Sequence, residues 1–170
     1  MTSMKGTDTV FHRLARMAMV CALLGATGLA QAFGLESRPG WRVIPTGFAF
    51  SDLVDRVRSA VKDEKMLLVT QASASDGAKG QGIVIPGNRV MGVYRNDYAR
   101  RMLRASVAAG IEAPIRFYVT ENADGTATLS WKTPSHVFAP YMKEGGAELE
   151  ALATELDGVF EMIAAKAVGD

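Results

Sequence analysis

The stretch IRFYVTENADGTATLSWK, residues 115–132, decides the fold of this 170-residue chain. Apolar and polar residues alternate on both sides of Asp124-Gly125, as they do in strands that each bury one face. An Asp-Gly pair between two such runs is a strong signal for a tight antiparallel turn. The sequence therefore predicts a β-hairpin with strands at 115–120 and 127–132.

The segments around this hairpin alternate between strand-like and helix-like patterns. In chain order we predict a strand at 41–44, a helix from Ser51, strands at 66–70 and 90–94, a helix from Asn96 or Asp97 to Gly110, the hairpin, and a helix at 147–166. The apolar run at 66–70 is typical of a strand covered on both faces, and the glycine-rich segment 73–88 of a mobile loop or short edge segment. This β-α-β-β-α-β-β-α order predicts an α+β fold, a two-layer sandwich of about five strands covered by helices.

Several short motifs in these elements resemble those of one known family. They are Gly92-Val93-Tyr94-Arg95-Asn96-Asp97, Ala113-Pro114-Ile115-Arg116-Phe117-Tyr118-Val119, Asp124-Gly125 and Trp131-Lys132-Thr133-Pro134. With them the chain resembles the domain-of-unknown-function 302 family from about Val43 to the final helix. The resemblance implies a compact α+β domain, sometimes dimeric, with no established activity, so a homodimer stays open. Only Asn96 carries over from the family's Gly-Asn-Pro motif.

The first 32 residues have the pattern of a secretory signal peptide. Basic side chains precede an apolar stretch at 17–29, and Ala30-Gln31-Ala32 matches a small-x-small cleavage site. At about 1.5 Å per residue the stretch is roughly 20 Å long, shorter than the ~30 Å hydrocarbon core of a bilayer. We therefore expect a signal peptide at 1–32 with cleavage near Ala32, no permanent membrane span, a periplasmic or secreted location, and a single domain over 33–170.

Cleavage would remove side chains on which much reaction chemistry depends. The only cysteine, Cys21, lies in the leader, which leaves His136 as the single histidine of residues 33–170. This excludes disulfides and thiolate metal sites, and we expect no metal site, no cofactor and no catalytic residues. Losing three of 19 basic and one of 18 acidic side chains gives a net charge near −1. Together with export, this charge argues against nucleic acid as a partner.

Five residues are candidates for ligand contacts: Arg95, Asn96, Lys132, Ser135 and His136. The first two follow a predicted strand and begin an arginine-rich segment at 95–104, which could hold a carboxylate, a phosphate or an acidic partner, or be a solvated face. The other three follow the end of the hairpin, where sites often lie. Histidine is the side chain whose ordinary pKa lies near neutrality, which suits a ligand contact or an acid/base role; alternatively, His136 caps a helical turn or lies in solvent.

These observations favour a binding protein over an enzyme. We expect an exported periplasmic module that binds an unidentified small ligand or a protein partner. Two alternatives stay open, both of which depend on His136: a small hydrolase or isomerase that also uses Ser135, and a non-covalent haem carrier with an axial imidazole. The apolar spacing of the last helix could seat a partner helix, although packing on the sheet explains the same pattern.

Overall fold

A five-stranded antiparallel sheet forms the centre of the fold. The computed structural model describes residues 35–169, so the predicted signal peptide and its cleavage site lie outside the described residues. The strands are β1 (Trp41–Ala49), β2 (Leu67–Ala72), β3 (Asn88–Tyr94), β4 (Ile115–Glu121) and β5 (Thr126–Lys132). Their order across the sheet is β1-β5-β4-β3-β2, and every neighbouring pair is antiparallel.

The β4–β5 hairpin forms where the alternating stretch predicts it. Phe117 pairs with Trp131 across the two strands. At the turn, Gly125 has a φ of +82°, a conformation that glycine adopts at no steric cost. Asp124 Oδ1 accepts hydrogen bonds from the backbone N and the Oγ1 of Thr126. The predicted hairpin is confirmed, and β4 becomes the central strand of the sheet.

Helices pack on one face of this sheet. Residues 35–169 contain five α-helices: α1 (Phe50–Asp63), α2 (Ala74–Gly80), which buries no residue, α3 (Asn96–Ala105), α4 (Pro134–Phe138) and α5 (Met142–Val168). In the core between the layers, the Phe117 ring stacks on Phe160 of α5 with 4.7 Å between centroids and meets Trp131 edge-on at 5.3 Å. Leu53 and Val57 of α1 are fully buried in the same core. The predicted α+β class is confirmed.

Strand β2 does not have the environment that its sequence predicts. The run at 66–70 predicts coverage on both faces, but β2 is an edge strand, in which Leu67 and Val69 are 57% and 48% exposed. An apolar run does not reveal an edge position, because that position depends on which distant strands pair. The register shift between Leu68 and Thr70 adds an irregularity of the kind that is frequent at sheet edges. The prediction of a doubly covered strand is wrong.

Several helix boundaries also differ from prediction. The loop expected at 73–88 contains α2, whose Ser73 cap accepts a hydrogen bond from the N of Asp76. The helix expected to reach Gly110 ends at Ala105, because Ser106 is extended and its Oγ accepts a hydrogen bond from the N of Ala109. A separate 3₁₀ turn, Ala108–Glu112, follows and leads into β4. Helix α5 begins at Met142, but the backbone of Gly146 is non-helical (φ +55°, ψ −153°), so the regular helix after this break starts at the predicted position near 147.

Candidate functional site

One face of the sheet presents polar and aromatic side chains away from the helices. Successive side chains of a strand point to opposite faces. Phe117 and Trp131 belong to the core with the helices, so Arg116, Tyr118 and Lys132 point to the opposite face. We call this surface the open face.

A cavity of about 320 Å³ lies at the end of the sheet where β4 begins and β5 ends, and it is bordered by side chains of the open face and by residues that pack in or against the core. Its lining residues come from four strands, from the 3₁₀ turn before β4 and from α4: Trp41, Val90, Glu112, Ile115, Arg116, Tyr118, Trp131, Lys132 and Val137. The volume falls near the lower end of the range of about 300–1,000 Å³ that is usual for small-molecule sites. We call it the open-face cavity.

Two basic residues that line the open-face cavity, Arg116 and Lys132, lie on the neighbouring strands β4 and β5. The β4–β5 register, extended by one residue, places Arg116 opposite Lys132, with roughly 4.8 Å between the strands. Within residues 35–169, no carboxylate oxygen lies within 4.0 Å of either side-chain cation. Like charges directly opposite each other destabilise a sheet. The pair therefore forms a positive site that sheet stability does not explain.

Aromatic rings border this positive site. The Nζ of Lys132 lies 5.6 Å from the centroid of the Trp41 ring, and the Cζ of Arg38 lies 5.5 Å from the same centroid. Tyr118 lines the cavity two positions after Arg116 on β4. Such rings offer a flat apolar surface to the body of a ligand, while the cations attract its charge.

Glu112 is the one acidic residue among those that line the open-face cavity. It ends the 3₁₀ turn before β4, and its Oε1 accepts a hydrogen bond of 2.8 Å from the Tyr141 hydroxyl. This hydrogen bond stabilises the protonated phenol and raises the pKa of Tyr141 above its ordinary value. Tyr141 follows 29 residues later in the chain, so a tertiary contact fixes Glu112 at the cavity.

Ser135 and His136 lie at the start of α4 and do not line the open-face cavity. The backbone N of Ser135 donates to Asp157 Oδ1 at 2.9 Å, and its hydroxyl donates to Thr133 Oγ1 at 3.3 Å. The backbone N of the exposed His136 donates to the same Thr133 oxygen at 3.3 Å, while its imidazole packs so closely on Gly40 that a Cβ there would overlap the ring. Both residues contact their own turn, and their side chains are not hydrogen-bonded to each other.

Arg95 and Asn96 follow β3, and β4 separates them from Lys132. Arg95 donates from Nε and Nη2 to the two carboxylate oxygens of Asp97 at 2.7 and 3.0 Å, and its Cζ lies 4.2 Å from the centroid of the Tyr98 ring. The hydrogen bonds of this ion pair raise the pKa of Arg95 and lower that of Asp97. Asn96 is exposed at the first position of α3. Of the five predicted contacts, the structure brings only Lys132 to the open-face cavity.

The arginine-rich segment at 95–104 makes further contacts with α5. The Tyr98 hydroxyl donates to Glu155 Oε1 at 2.9 Å, and Arg101 Nη1 donates to Glu155 Oε2 at 2.7 Å. The hydrogen bond from Arg101 is the largest cause of a lowered Glu155 pKa, followed by that from Tyr98. A small cavity of about 30 Å³ lies against Tyr98 and Arg95, with room for about one water molecule. Through these contacts the segment fixes α3 to α5.

The sequence does not single out Arg116, Glu112 or Trp41 as site residues. Arg116 could have been found from the hairpin pattern. The register that pairs β4 with β5 places Arg116 opposite Lys132, which is one of the five contacts predicted from the sequence. No comparable signal exists for Glu112, since a helix is predicted to continue to Gly110 and the 3₁₀ turn is not expected. Arg116 and Lys132 are the parts of the site that the hairpin pattern defines.

The open-face cavity offers charge pairing, hydrogen bonding and aromatic contact. Within residues 35–169, no three His, Cys, Asp or Glu side chains are grouped in a way that would hold a metal ion. Over the part of the chain that the structure describes, no helix combines the length and the apolar character needed to cross a bilayer.

The fold and its cavity define an α+β protein with helices on one side of an antiparallel sheet. The crystal structure of an uncharacterized conserved protein DUF302 from Bacillus stearothermophilus has a similar fold, with a TM-score of 0.63 and 15% identity over 77% of this chain and 97% of that chain. The family model for the domain of unknown function DUF302 matches residues 43–164, and the chain belongs to this family. The resemblance predicted from the motifs is confirmed. No curated protein matches the chain.

Proposed function

We propose that this chain is an exported ligand-binding module whose open-face cavity holds a small organic anion. The observation that carries the proposal is the pair Arg116 and Lys132, opposite each other and without an acidic partner in residues 35–169. Their mutual repulsion opposes folding. A bound anion would neutralise both charges and convert an unfavourable pair into a binding site.

A carboxylate suits this pair in charge and in geometry. The guanidinium of Arg116 can donate two parallel hydrogen bonds to one carboxylate, and the ammonium of Lys132 adds a further donor. Trp41 and Tyr118 line the same cavity and offer their rings to the apolar body of the ligand. A volume of about 320 Å³ suits a ligand of metabolite size.

Export is the second part of the proposal. It is supported by the basic, apolar and small-x-small pattern of residues 1–32. After cleavage, the module would meet its ligand in the periplasm or in the medium. Intact-mass analysis of protein recovered from the periplasmic fraction tests this part. We expect a chain that begins at Phe33, and a recovered chain that still begins at Met1 would contradict export.

Native mass spectrometry of the same periplasmic protein tests the binding part. We expect a retained mass on the wild-type chain that is lost in Arg116→Gln and in Lys132→Gln. The matched control is Arg100→Gln, which removes an equal charge from an exposed position on α3 and should keep the mass. A mass retained equally by all variants would place the ligand elsewhere. Absence of any retained mass, together with no thermal shift across a panel of small carboxylates, would also contradict the proposal.

A further inference from the structure

The open-face cavity contains a charge of each sign, and the opposite charges do not pair with each other. Arg116, Lys132 and Glu112 all line it. Nevertheless, no side-chain cation of residues 35–169 lies within 4.0 Å of the Glu112 carboxylate. Opposite charges on one small surface usually form ion pairs when their side chains are free to meet. Within residues 35–169, Glu112 forms no ion pair with either cation that lines the same cavity.

The restraint on Glu112 has a visible cause. Tyr141 donates its hydroxyl hydrogen to Glu112 Oε1 at 2.8 Å. The second oxygen, Oε2, accepts no hydrogen bond from the side chains of residues 35–169. The contact thus holds the carboxylate through one oxygen and leaves the other available for a donor in the cavity. It also directs Oε1 of the carboxylate toward Tyr141, a residue outside the cavity lining.

We propose that the ligand of the open-face cavity is bipolar: a free amino acid, or a similar small molecule that carries one carboxylate and one ammonium group. The carboxylate binds Arg116 and Lys132, and the ammonium donates to Glu112 Oε2. Tyr141 is a positioning residue that acts through Glu112. This inference rests on the proposed function and adds the class of ligand to it.

A simple anion satisfies only part of this arrangement. It would neutralise Arg116 and Lys132, but its negative charge would also be repelled by Glu112. A simple amine could pair with Glu112, but its positive charge would be repelled by the two cations. A bipolar ligand places each charge beside its opposite, and its side chain can rest on Trp41 or Tyr118. A hydrogen bond to a charged group changes affinity by about tenfold or more. The ammonium should therefore improve binding by at least that factor over the matched carboxylate.

Isothermal titration of the mature protein with matched probes tests the inference. The probes are alanine, leucine and phenylalanine, their deaminated analogues propanoate, 4-methylpentanoate and 3-phenylpropanoate, and their decarboxylated analogues ethylamine, 3-methylbutylamine and 2-phenylethylamine. We expect the best amino acid to bind about tenfold or more tightly than its own carboxylate, and the amines to bind least. Glu112→Gln should remove this preference and leave or improve carboxylate binding.

A second variant tests the inference without changing Glu112, in case Glu112→Gln fails to fold. Tyr141→Phe keeps the ring and removes only the hydroxyl, and it should weaken amino-acid binding by a few-fold while carboxylate binding stays unchanged. Carboxylates that bind as tightly as their amino acids, with no change in Glu112→Gln, would overturn the inference and leave the proposed function standing. No binding of any amino acid or carboxylate would overturn both.

Discussion

Replacing Arg116 by glutamine should stabilise the fold while it weakens ligand binding. Glutamine keeps the beginning of the side chain and removes the charge that faces Lys132 across the strands. Two unit charges about 6 Å apart repel by about 0.7 kcal/mol in water, and by roughly half of that at 0.15 M salt. We therefore expect the free energy of unfolding to rise by a few tenths of a kcal/mol.

Urea unfolding of the mature protein, followed by circular dichroism, measures this effect. A double-mutant cycle with Arg116→Gln and Lys132→Gln isolates the repulsion between the two charges, because contributions from neighbours such as Glu112 cancel. The coupling free energy should be about 0.3–0.7 kcal/mol at low salt and should vanish near 1 M NaCl, where the screening length is only about 3 Å.

The matched control for this cycle is Arg100→Gln, on the exposed side of α3. We expect it to leave the coupling between Arg116 and Lys132 unchanged. Strictly additive effects of the two glutamine substitutions would refute the reasoning, because they would mean that the cations do not interact. A loss of stability in both single variants at every salt concentration would show that the pair supports the fold.

Three further predictions concern the framework around the cavity. Phe117→Ala removes a fully buried ring that stacks on α5, and urea unfolding should show a loss of about 3–5 kcal/mol; a loss below 1 kcal/mol would contradict the packing described. Glu155 has a folded pKa below its ordinary value of 4.5, so the unfolded chain takes up the proton first and stability falls as the pH drops from about 4.5 through the folded pKa. Glu155→Gln should flatten that part of the pH profile of the urea midpoint, and an unchanged profile would contradict the ion pair with Arg101. Gly40→Ala should cost about 1–3 kcal/mol, because Gly40 has a φ of +73° and a Cβ would overlap His136; a neutral substitution in the same assay would mean that the contact is absent.

Local periodicity predicts the parts of the fold that short-range pattern decides. The alternation around Phe117 and Trp131 fixes the hairpin, because each residue's face follows from its parity along the strand. The apolar stripe of α1 is equally local, and Leu53 and Val57 are buried as it predicts. The edge position of β2 is different, because it depends on pairing with β3 and on the absence of a further strand beyond it among residues 35–169. No pattern within 66–70 encodes that position.

The candidate site is only partly predictable for the same reason. Lys132 is found because it ends a clear strand, and Arg116 becomes significant only when the two strands are paired. Glu112 depends on a hydrogen bond from Tyr141, 29 residues away, which no local pattern indicates. His136 is notable in the sequence as the single histidine of residues 33–170, yet in the fold its imidazole packs closely on Gly40, far away in sequence.

The most direct test of the central claim is to observe side-chain NMR signals of the mature protein during titration with the best-binding probe. The account predicts shifts of the Arg116 Nε–H and the Trp41 indole N–H signals, since both residues line the open-face cavity. Arg95 and Arg101 form ion pairs with Asp97 and Glu155 and do not line this cavity, so their Nε–H signals should not shift. Shifts confined to Arg95 and Arg101, with Arg116 and Trp41 unchanged, would contradict the claim that the ligand binds in the open-face cavity.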